Sequence, residues 1–297
     1  MKRETQNIHG IVLLDKAQGL TSNRALQQVK HLFNARKAGH TGSLDPLATG
    51  LLPICFGQAT KISEYLLHSH KKYRTTIKLG ETTDTYDSEG QILHSEAVQV
   101  SDSKIESALQ QFRGEIKQTP PMYSALKKHG QPLYKLARKG EVVERPQREM
   151  TVHSLTAKRI DQTHLQLEVH CSSGFYIRSL AHDLGQALGC GAHVVELRRT
   201  SIKQTDLSQA VSFAQLQAMD NPLQALLPID SLLADMPVLK ISQSHALRLL
   251  QGKKTVLENT LETPLSRLYT GTDKLFGIGK IDQLGQLKTQ KMFVTDN

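Results

Sequence analysis

Apolar residues near the start of the chain follow first the spacing of a strand and then that of a helix. Residues 8–15 form a short apolar run that is typical of a buried strand. Residues 21–23, Thr-Ser-Asn, can cap the start of a helix, and Leu26, Val29 and Phe33 then recur at helical spacing. This stretch therefore predicts a strand followed by a helix with one buried face.

The same two periodicities recur farther along the chain. Leu165, Leu167 and Val169 alternate with polar residues, so they share the buried face of a predicted strand. Strands and helices therefore alternate along the chain. The further predicted elements are a strand over 73–79 that ends at Gly80, a helix over 101–113 that Ser101 caps and Gly114 stops, a strand over 164–170, and a helix over 175–188 that ends before Gly189.

Three stretches break this pattern. Residues 118–150 combine prolines with many lysines and arginines, which predicts an exposed basic insertion. Residues 221–240 hold three prolines between short apolar runs and predict a linker or domain boundary. Beyond residue 240, a short helix is predicted from His245 to Leu250. The glycines that follow predict tight turns of a small barrel at Gly277, Gly279 and Gly285.

The composition narrows the class of protein. Lysine and arginine outnumber aspartate and glutamate by 37 to 28, and the pI of about 9.4 favours a polyanionic partner. No apolar run reaches the roughly 18 residues of a membrane span, and the apolar part of the N-terminus is too short for a signal peptide. Three cysteines without CxxC spacing favour a reducing cytoplasm, and the 13 histidines show neither HExxH nor a Cys/His quartet, so no metal site is predicted.

The segment with the clearest chemistry is residues 39–50, which hold three glycines around a single carboxylate. Pro46 restricts Asp45 to extended backbone, so the loop is suited to holding one acid rigidly. Taken alone, the residue is better explained as a turn aspartate that caps its own backbone. The segment lacks the lysine of a phosphate-binding P-loop and the HxE and PCxxC pattern of a zinc deaminase, and residues 84–90 lack the spacing of a calcium loop.

The full string over residues 39–53, Gly-His-Thr-Gly-Ser-Leu-Asp-Pro-Leu-Ala-Thr-Gly-Leu-Leu-Pro, resembles the catalytic motif of the TruB family of pseudouridine synthases. The family's usual threonine before the Leu-Asp pair is Ser43 here, which keeps the hydroxyl. Four further segments resemble family motifs in the family's order, over nearly the whole chain: residues 15–23, 72–90, 118–140 and 171–185.

This resemblance implies an enzyme that isomerises uridine 55 in the T arm of tRNA to pseudouridine by detaching the base, turning it and rejoining it through C5. Such a reaction transfers no electrons and no external group, so no cofactor and no metal are expected. One carboxylate, Asp45, is expected to act either as a nucleophile or as a base toward the ribose.

The resemblance also assigns roles to further residues. Tyr73 matches the tyrosine on which the extruded base stacks, and Arg178 matches the arginine that pairs with the catalytic acid. Substrate-binding positions are implied for five residues, namely His40, Tyr176, Leu197, Lys16 and Lys61. Spacing alone favours plainer roles for them, such as core packing for the tyrosines and leucine and surface charge for the lysines.

The implied architecture is an α/β fold of the α+β type with two domains. A pseudouridine synthase domain over 1–235 has a mixed, largely antiparallel sheet and carries the RNA-gripping insertion at 118–150. A small PUA-like β-barrel follows over 240–297. The implied partner is tRNA, bound by a cytoplasmic monomer without a membrane or an obligate protein partner. Two alternatives stay open: a non-catalytic RNA-binding or RNA-folding module, and the archaeal and eukaryotic rRNA-modifying branch of synthases.

Overall fold

The computed structural model describes residues 4–124, 126–128, 130–141, 143–257, 261–271 and 274–293. Its centre is a ten-stranded mixed sheet. The strands of this sheet are β1 (Gly10–Lys16), β2 (Ala38–His40), β3 (Thr49–Phe56), β4 (Lys71–Leu79), β7 (Gly114–Gln118), β10 (Arg148–Arg159), β11 (His164–Cys171), β12 (Ala192–Ile202), β13 (Thr205–Asp206) and β14 (Val211–Ser212). Two short hairpins lie outside it, formed by β5 (Glu81–Thr83) with β6 (Ile92–Ser95) and by β8 (Lys127–Lys128) with β9 (Gln131–Pro132).

The order of strands across the sheet is β14-β1-β3-β12-β4-β11-β10-β7, with β2 paired to β3 and β13 paired to β12. Only β1 with β14 and β3 with β12 run parallel, and the other pairs in this sheet are antiparallel. The predicted mixed, largely antiparallel sheet is therefore confirmed. The parallel contact of β3 with β12 sets the segment before β3 beside the central strands.

The helices are α1 (Ser22–Leu32), α2 (Ser63–Leu67), α3 (Asp102–Gln110), α4 (Leu133–Ala137), α5 (Ile177–Leu188), α6 (Phe213–Ala218) and α7 (Gln243–Leu250), with 3₁₀ turns at Gly57–Ile62, Leu207–Gln209, Pro222–Ala225 and Ser231–Leu233. The side chains of Thr21 and Ser101 accept hydrogen bonds from the first turns of α1 and α3, as their sequence predicts. Gly189 caps α5 in the left-handed conformation, with φ at 79°. Gly114 does not stop α3, which ends at Gln110 with three residues between them; Gly114 begins β7 instead. Among the described residues, no helix has the length and apolar character to cross a membrane.

Both faces of β1 and β3 are buried, which explains their unbroken apolar sequences. On one face Val12, Leu14 and Leu52 join the main core with α1, α3 and α5. On the other face Ile11 and Leu51 join a second core. Strand β11 differs, because its apolar residues point into the main core while its polar residues face solvent.

The second core joins the large sheet to a small C-terminal sheet of β15 (Val238–Ile241), β16 (Ser266–Thr270), β17 (Lys274–Ile281) and β18 (Leu287–Met292), paired in that order. Ile278 of β17 and Phe293, which directly follows β18, pack in this core with Leu233. The stretch predicted as a linker thus contributes buried residues. The small C-terminal domain, expected as a PUA-like β-barrel, is present as this four-stranded sheet.

Two of the three glycines predicted to form tight turns lie instead inside a strand. Gly277 and Gly279 belong to β17, where a Cβ atom would stand 2.4 Å from the Lys291 carbonyl oxygen and 2.6 Å from the Lys288 carbonyl oxygen, respectively. They therefore allow β18 to approach β17 closely at an irregular register. Gly285, with φ at 71°, lies in the turn between these strands, as predicted.

Candidate active site

Asp45 lies in the loop between β2 and β3. Residues outside this loop form hydrogen bonds with its backbone on both sides of Asp45. The hydroxyl of Ser22, at the start of α1, accepts a hydrogen bond from the Leu44 amide at 2.7 Å and donates to the Leu44 carbonyl at 3.0 Å. On the other side, the Gly19 amide donates to the Pro46 carbonyl at 2.8 Å. The backbone around Asp45 is thus held before any substrate arrives, which favours catalysis by a preorganised group.

Lys16, at the end of β1, supports the same loop. Its side chain is fully buried, and its ammonium donates to the carbonyls of Ala17 at 2.9 Å, Leu20 at 2.7 Å and Pro46 at 3.5 Å. Burial lowers its pKa to about 8, while nearby Asp45 acts in the opposite direction. Lys16 has no exposed surface in this structure and supports the loop that carries Asp45, and its expected contact with the substrate stays a prediction.

Arg178 binds the carboxylate of Asp45. It lies in the first turn of α5, and its Nε is 2.9 Å from Asp45 Oδ2. Its Nη1 is 3.4 Å from the buried carboxylate of Asp87 and donates to the Thr85 carbonyl at 3.1 Å, and its Nη2 donates to the Tyr123 carbonyl at 2.7 Å. With so many partners, the guanidinium has one fixed orientation.

Asp87 has no assigned role in the sequence-based expectations, yet it completes this arrangement. Its side chain is 4% exposed, and its Oδ1 accepts hydrogen bonds from the Thr85 hydroxyl at 2.6 Å and the Glu89 amide at 3.1 Å. One arginine therefore joins two carboxylates, of which only Asp45 faces open space.

The carboxylate of Asp45 lies at the wall of a pocket of about 550 Å³. Its side chain retains 40% of its accessible surface because the pocket reaches it, although protein surrounds it on the other sides. This burial raises the pKa of Asp45 above its ordinary value of 3.8, the charge of Asp87 adds to the rise, and the Arg178 guanidinium opposes it.

The pocket collects most of the predicted site residues. Tyr73, Tyr176 and Leu197 line it together with Asp45 and Arg178. Asp45 is the one acidic residue among its described lining residues, whereas five lining side chains are basic: His68, Lys71, Arg148, Arg178 and Arg199. A pocket that presents a lone carboxylate among basic groups suits an anionic molecule with one reactive centre.

Tyr73 lies in β4, between Lys71 and Thr75 on the face that contacts the main core. Burial raises the pKa of its hydroxyl to about 12, although a hydrogen bond with the Arg199 guanidinium acts against the rise. The phenol is therefore neutral across the physiological range, and its ring forms a flat wall of the pocket.

Two buried cations below the pocket had no predicted role. Arg199 is 1% exposed, donates to the Leu51 carbonyl at 2.8 Å and to the Gly42 carbonyl at 3.3 Å, and so joins β12 to β3 and to the catalytic loop. Lys71 is 7% exposed and donates to the carbonyls of Leu67 and Ser69 at 3.0 and 2.8 Å. Burial lowers the pKa of Lys71 to about 8. The sequence offers one signal for the buried position of Lys71 and Arg199: each is a basic residue at an inward-facing position of a strand.

His40 and Lys61 lie apart from the described lining of the pocket. His40 is half-buried at the end of β2, its buried Nδ1 has no hydrogen-bond partner among the described residues, and burial lowers its pKa. Lys61 donates to the Met292 carbonyl at 2.6 Å. The amine of Lys61 is therefore held by β18 of the small C-terminal sheet, and its expected contact with the substrate stays a prediction.

The raised pKa of Asp45 predicts an acid limb in the pH dependence of any reaction that needs its carboxylate. The active ionised form is lost as the pH falls through this raised pKa, so we expect the rate at saturating substrate to decline at a midpoint above 3.8. Tyr73 stays protonated up to its pKa of about 12 and gives no alkaline limb near neutrality. A rate that stays constant down to about pH 4, with circular dichroism showing an intact fold, would contradict this prediction.

Three family models match successive parts of the chain. Residues 30–177 match the TruB family pseudouridylate synthase (N terminal domain). Residues 178–234 match the tRNA pseudouridylate synthase B C-terminal domain, and residues 237–293 match the model described as pseudouridine synthase II TruB, C-terminal.

Individual relatives cover almost the whole chain. It is 48% identical to the tRNA pseudouridine synthase B of Ectopseudomonas mendocina, over 99% of this chain and 98% of the relative. It is 45% identical to the protein of that name from Shewanella sp., over 97% of this chain and 95% of the relative. Among solved structures, one chain of a Cbf5-Nop10-Gar1 complex is similar with a TM-score of 0.70 and 26% identity, over 96% of this chain and 85% of that chain.

Proposed function

Because this chain belongs to the TruB family of pseudouridylate synthases, we propose that it converts uridine 55 in the T arm of tRNA to pseudouridine. Membership makes the chain an enzyme, an isomerase that forms pseudouridine in RNA. The choice of tRNA follows its relatives, which are named tRNA pseudouridine synthase B. The choice of position 55 within the tRNA rests on the resemblance of residues 39–53 to the family's catalytic motif.

The observation that carries this proposal is the Asp45 carboxylate bound by Arg178 at the wall of the pocket. The isomerisation breaks the bond between C1′ and N1 and forms one between C1′ and C5, with loss of the C5 proton. One carboxylate suffices, either attacking as a nucleophile or removing a ribose proton as a base. The ion pair with Arg178 holds the carboxylate in a single direction for either step.

We propose that Tyr73 provides the surface on which the extruded base stacks. A uridine in a folded loop must leave its stack before a side chain reaches C1′, and an aromatic platform recovers about 1–3 kcal/mol per base. Tyr73, Tyr176 and Leu197 line the same pocket as Asp45, so the base has apolar neighbours while its sugar faces the carboxylate.

Binding of the tRNA body is proposed for the basic surface. Lys127, Lys135 and Lys139 are exposed in the insertion over residues 118–150, and the chain carries a formal charge of +9. Such side chains bind phosphates without reading sequence, so they set affinity and its salt dependence.

We also propose the domain organisation, location and oligomeric state of the enzyme. The synthase domain spans 1–235 and the small C-terminal domain 240–297, and the enzyme works in the cytoplasm as a monomer without an obligate protein partner. The similar Cbf5 chain was solved in a complex with two other proteins, so size-exclusion chromatography with light scattering on the protein alone and bound to tRNA is the direct measurement of this point.

A transcript of unmodified tRNA labelled with tritium at C5 of uridine tests the function. Forming pseudouridine replaces the C5 hydrogen, so we expect one equivalent of tritium to enter water per tRNA. A matched transcript with cytidine at position 55 is expected to release none. Absence of release from the first transcript would refute the isomerisation, and equal release from both would refute the position.

A further inference from the structure

A second group of functional side chains lies on the face of the large sheet opposite the pocket. One ring nitrogen from each of His70, His153 and His170 lies within 4.8 Å of the other two. We propose that these three imidazoles, called here the histidine triad, bind a divalent transition-metal ion of the zinc type. This site is separate from the proposed isomerisation and does not depend on it.

Strand pairing explains how the triad assembles. On β11, His170 lies between Val169 and Cys171, which point into the main core, so His170 points to the opposite, open face. On β10, Val152 points into the main core, so the next residue, His153, points to the same open face, at the place where the pairing of β10 with β11 shifts register.

The third member comes from the segment that leads into β4. His70 directly precedes this strand, and its carbonyl accepts a hydrogen bond from the Lys203 amide at 2.9 Å, which fixes its backbone. Two residues later in β4, Lys72 pairs with His170, so the beginning of β4 lies beside the bulge of β10 across β11.

The arrangement of the rings suits coordination. The rings are tilted by 36°, 45° and 57° to one another, with centroids 4.4, 4.7 and 5.9 Å apart, and His70 Nδ1 is 2.5 Å from His153 Nε2. Three nitrogens bound at about 2.1 Å to one tetrahedral ion stand about 3.4 Å apart. This spacing lies between the shortest separation and the 4.8 Å limit of the triad, so small side-chain rotations bring all three nitrogens to one ion.

The donor set selects the kind of ion. Three neutral imidazoles suit zinc, copper or nickel, whereas calcium and magnesium prefer oxygen ligands. Three histidines with one open position for water form a known type of zinc site. His70 and His153 are exposed, so an ion reaches them from solvent. Lys72 places a positive charge beside His170, and this charge opposes the binding of a cation. The affinity for the metal ion must therefore come from coordination by the three nitrogens.

The ion has a structural role in this proposal. It ties the beginning of β4, which carries Tyr73, to the bulge of β10 and to β11. Because the triad lies on the opposite face from the pocket, the ion has no contact with the reacting base and takes no part in its chemistry.

The test uses the full-length protein without a histidine tag. We expect calorimetric titration with ZnCl₂ to show one ion bound per chain and ZnCl₂ to raise the thermal unfolding temperature. His153→Ala and His170→Ala are each expected to weaken binding at least about tenfold. The matched control is His31→Ala, an exposed histidine in the last turn of α1, which should bind zinc as the parent does.

Titration with CoCl₂ adds a readout of geometry, because four-coordinate cobalt absorbs visible light strongly. The proposal fails if the parent protein binds no zinc, or if it binds zinc no more tightly than His153→Ala. Circular dichroism and the metal-free tritium-release rate of each variant show whether the substitution has altered the fold. His153→Gln replaces any variant that fails this check.

Discussion

Replacing Asp45 by asparagine is expected to lower the rate of pseudouridine formation by at least about 10⁴-fold, a loss comparable to the removal of an essential catalytic side chain in other enzymes. The amide cannot act as a nucleophile or as a base, yet it nearly matches the carboxylate in size. Because Ser22, Lys16 and Gly19 hold the loop from outside, the backbone should keep its shape. The measurement is single-turnover tritium release from a labelled tRNA transcript.

Binding separates this prediction from a mere loss of folding. The Asp45→Asn variant should bind the same tRNA within a few-fold of the parent in an anisotropy titration, since it removes one negative charge from a basic pocket. Asp220→Asn, an exposed aspartate in a turn, is the matched control and should keep full activity. If Asp45→Asn retains most of the activity, the chain has no catalytic carboxylate at this position and the RNA-folding alternative gains support.

Replacing Arg178 by methionine is expected to abolish activity and also to destabilise the fold by about 3–5 kcal/mol, the usual cost of leaving a buried charge without its partner. Most of this cost comes from Asp87, whose side chain is 4% exposed, and from the two carbonyls that Arg178 binds. Asp45 contributes less, because 40% of its side chain reaches the solvent of the pocket. Urea unfolding measures the loss.

A second substitution distinguishes these contributions. Adding Asp87→Asn to Arg178→Met removes the uncompensated charge, so the double variant should recover part of the stability but none of the activity. Arg198→Met is the matched control, since Arg198 pairs with Asp15 at 2.6 Å with 40% of its side chain exposed. It should cost less than about 1 kcal/mol. A double variant no more stable than Arg178→Met would show that Asp87 is not the main source of the cost.

The sequence predicted the part of the site that depends on local pattern. The loop around Asp45 is marked by glycines and by Pro46, and the strand and helix that carry Tyr73 and Arg178 follow clear periodicities. Resemblance to a family then assigned them to one site, and the structure brings all three to one pocket. Periodicity alone provided no such link, since these residues are far apart in the chain.

The residues that escaped prediction depend on long-range packing. Lys16 and Arg199 are charged, and charged side chains usually face solvent, but both are buried because backbone carbonyls of distant segments, Pro46 and Leu51, accept hydrogen bonds from them. The histidine triad was missed for a related reason. Its members lie on three separate segments and meet through the pairing of β4, β11 and β10, which no local pattern reveals.

The docking of the small C-terminal sheet has a consequence for deletion experiments. The small sheet contacts α2 through two polar interactions: Lys291 pairs with Glu64 at 3.0 Å, and the Tyr65 hydroxyl donates to Gln290 at 3.2 Å. The residues directly after Tyr65 in the chain include Leu67 and His68, which form one side of the pocket. A chain truncated before residue 237 would therefore lose the contacts that support this side of the pocket. Slower turnover by such a fragment would reflect a displaced pocket side as much as a loss of tRNA binding.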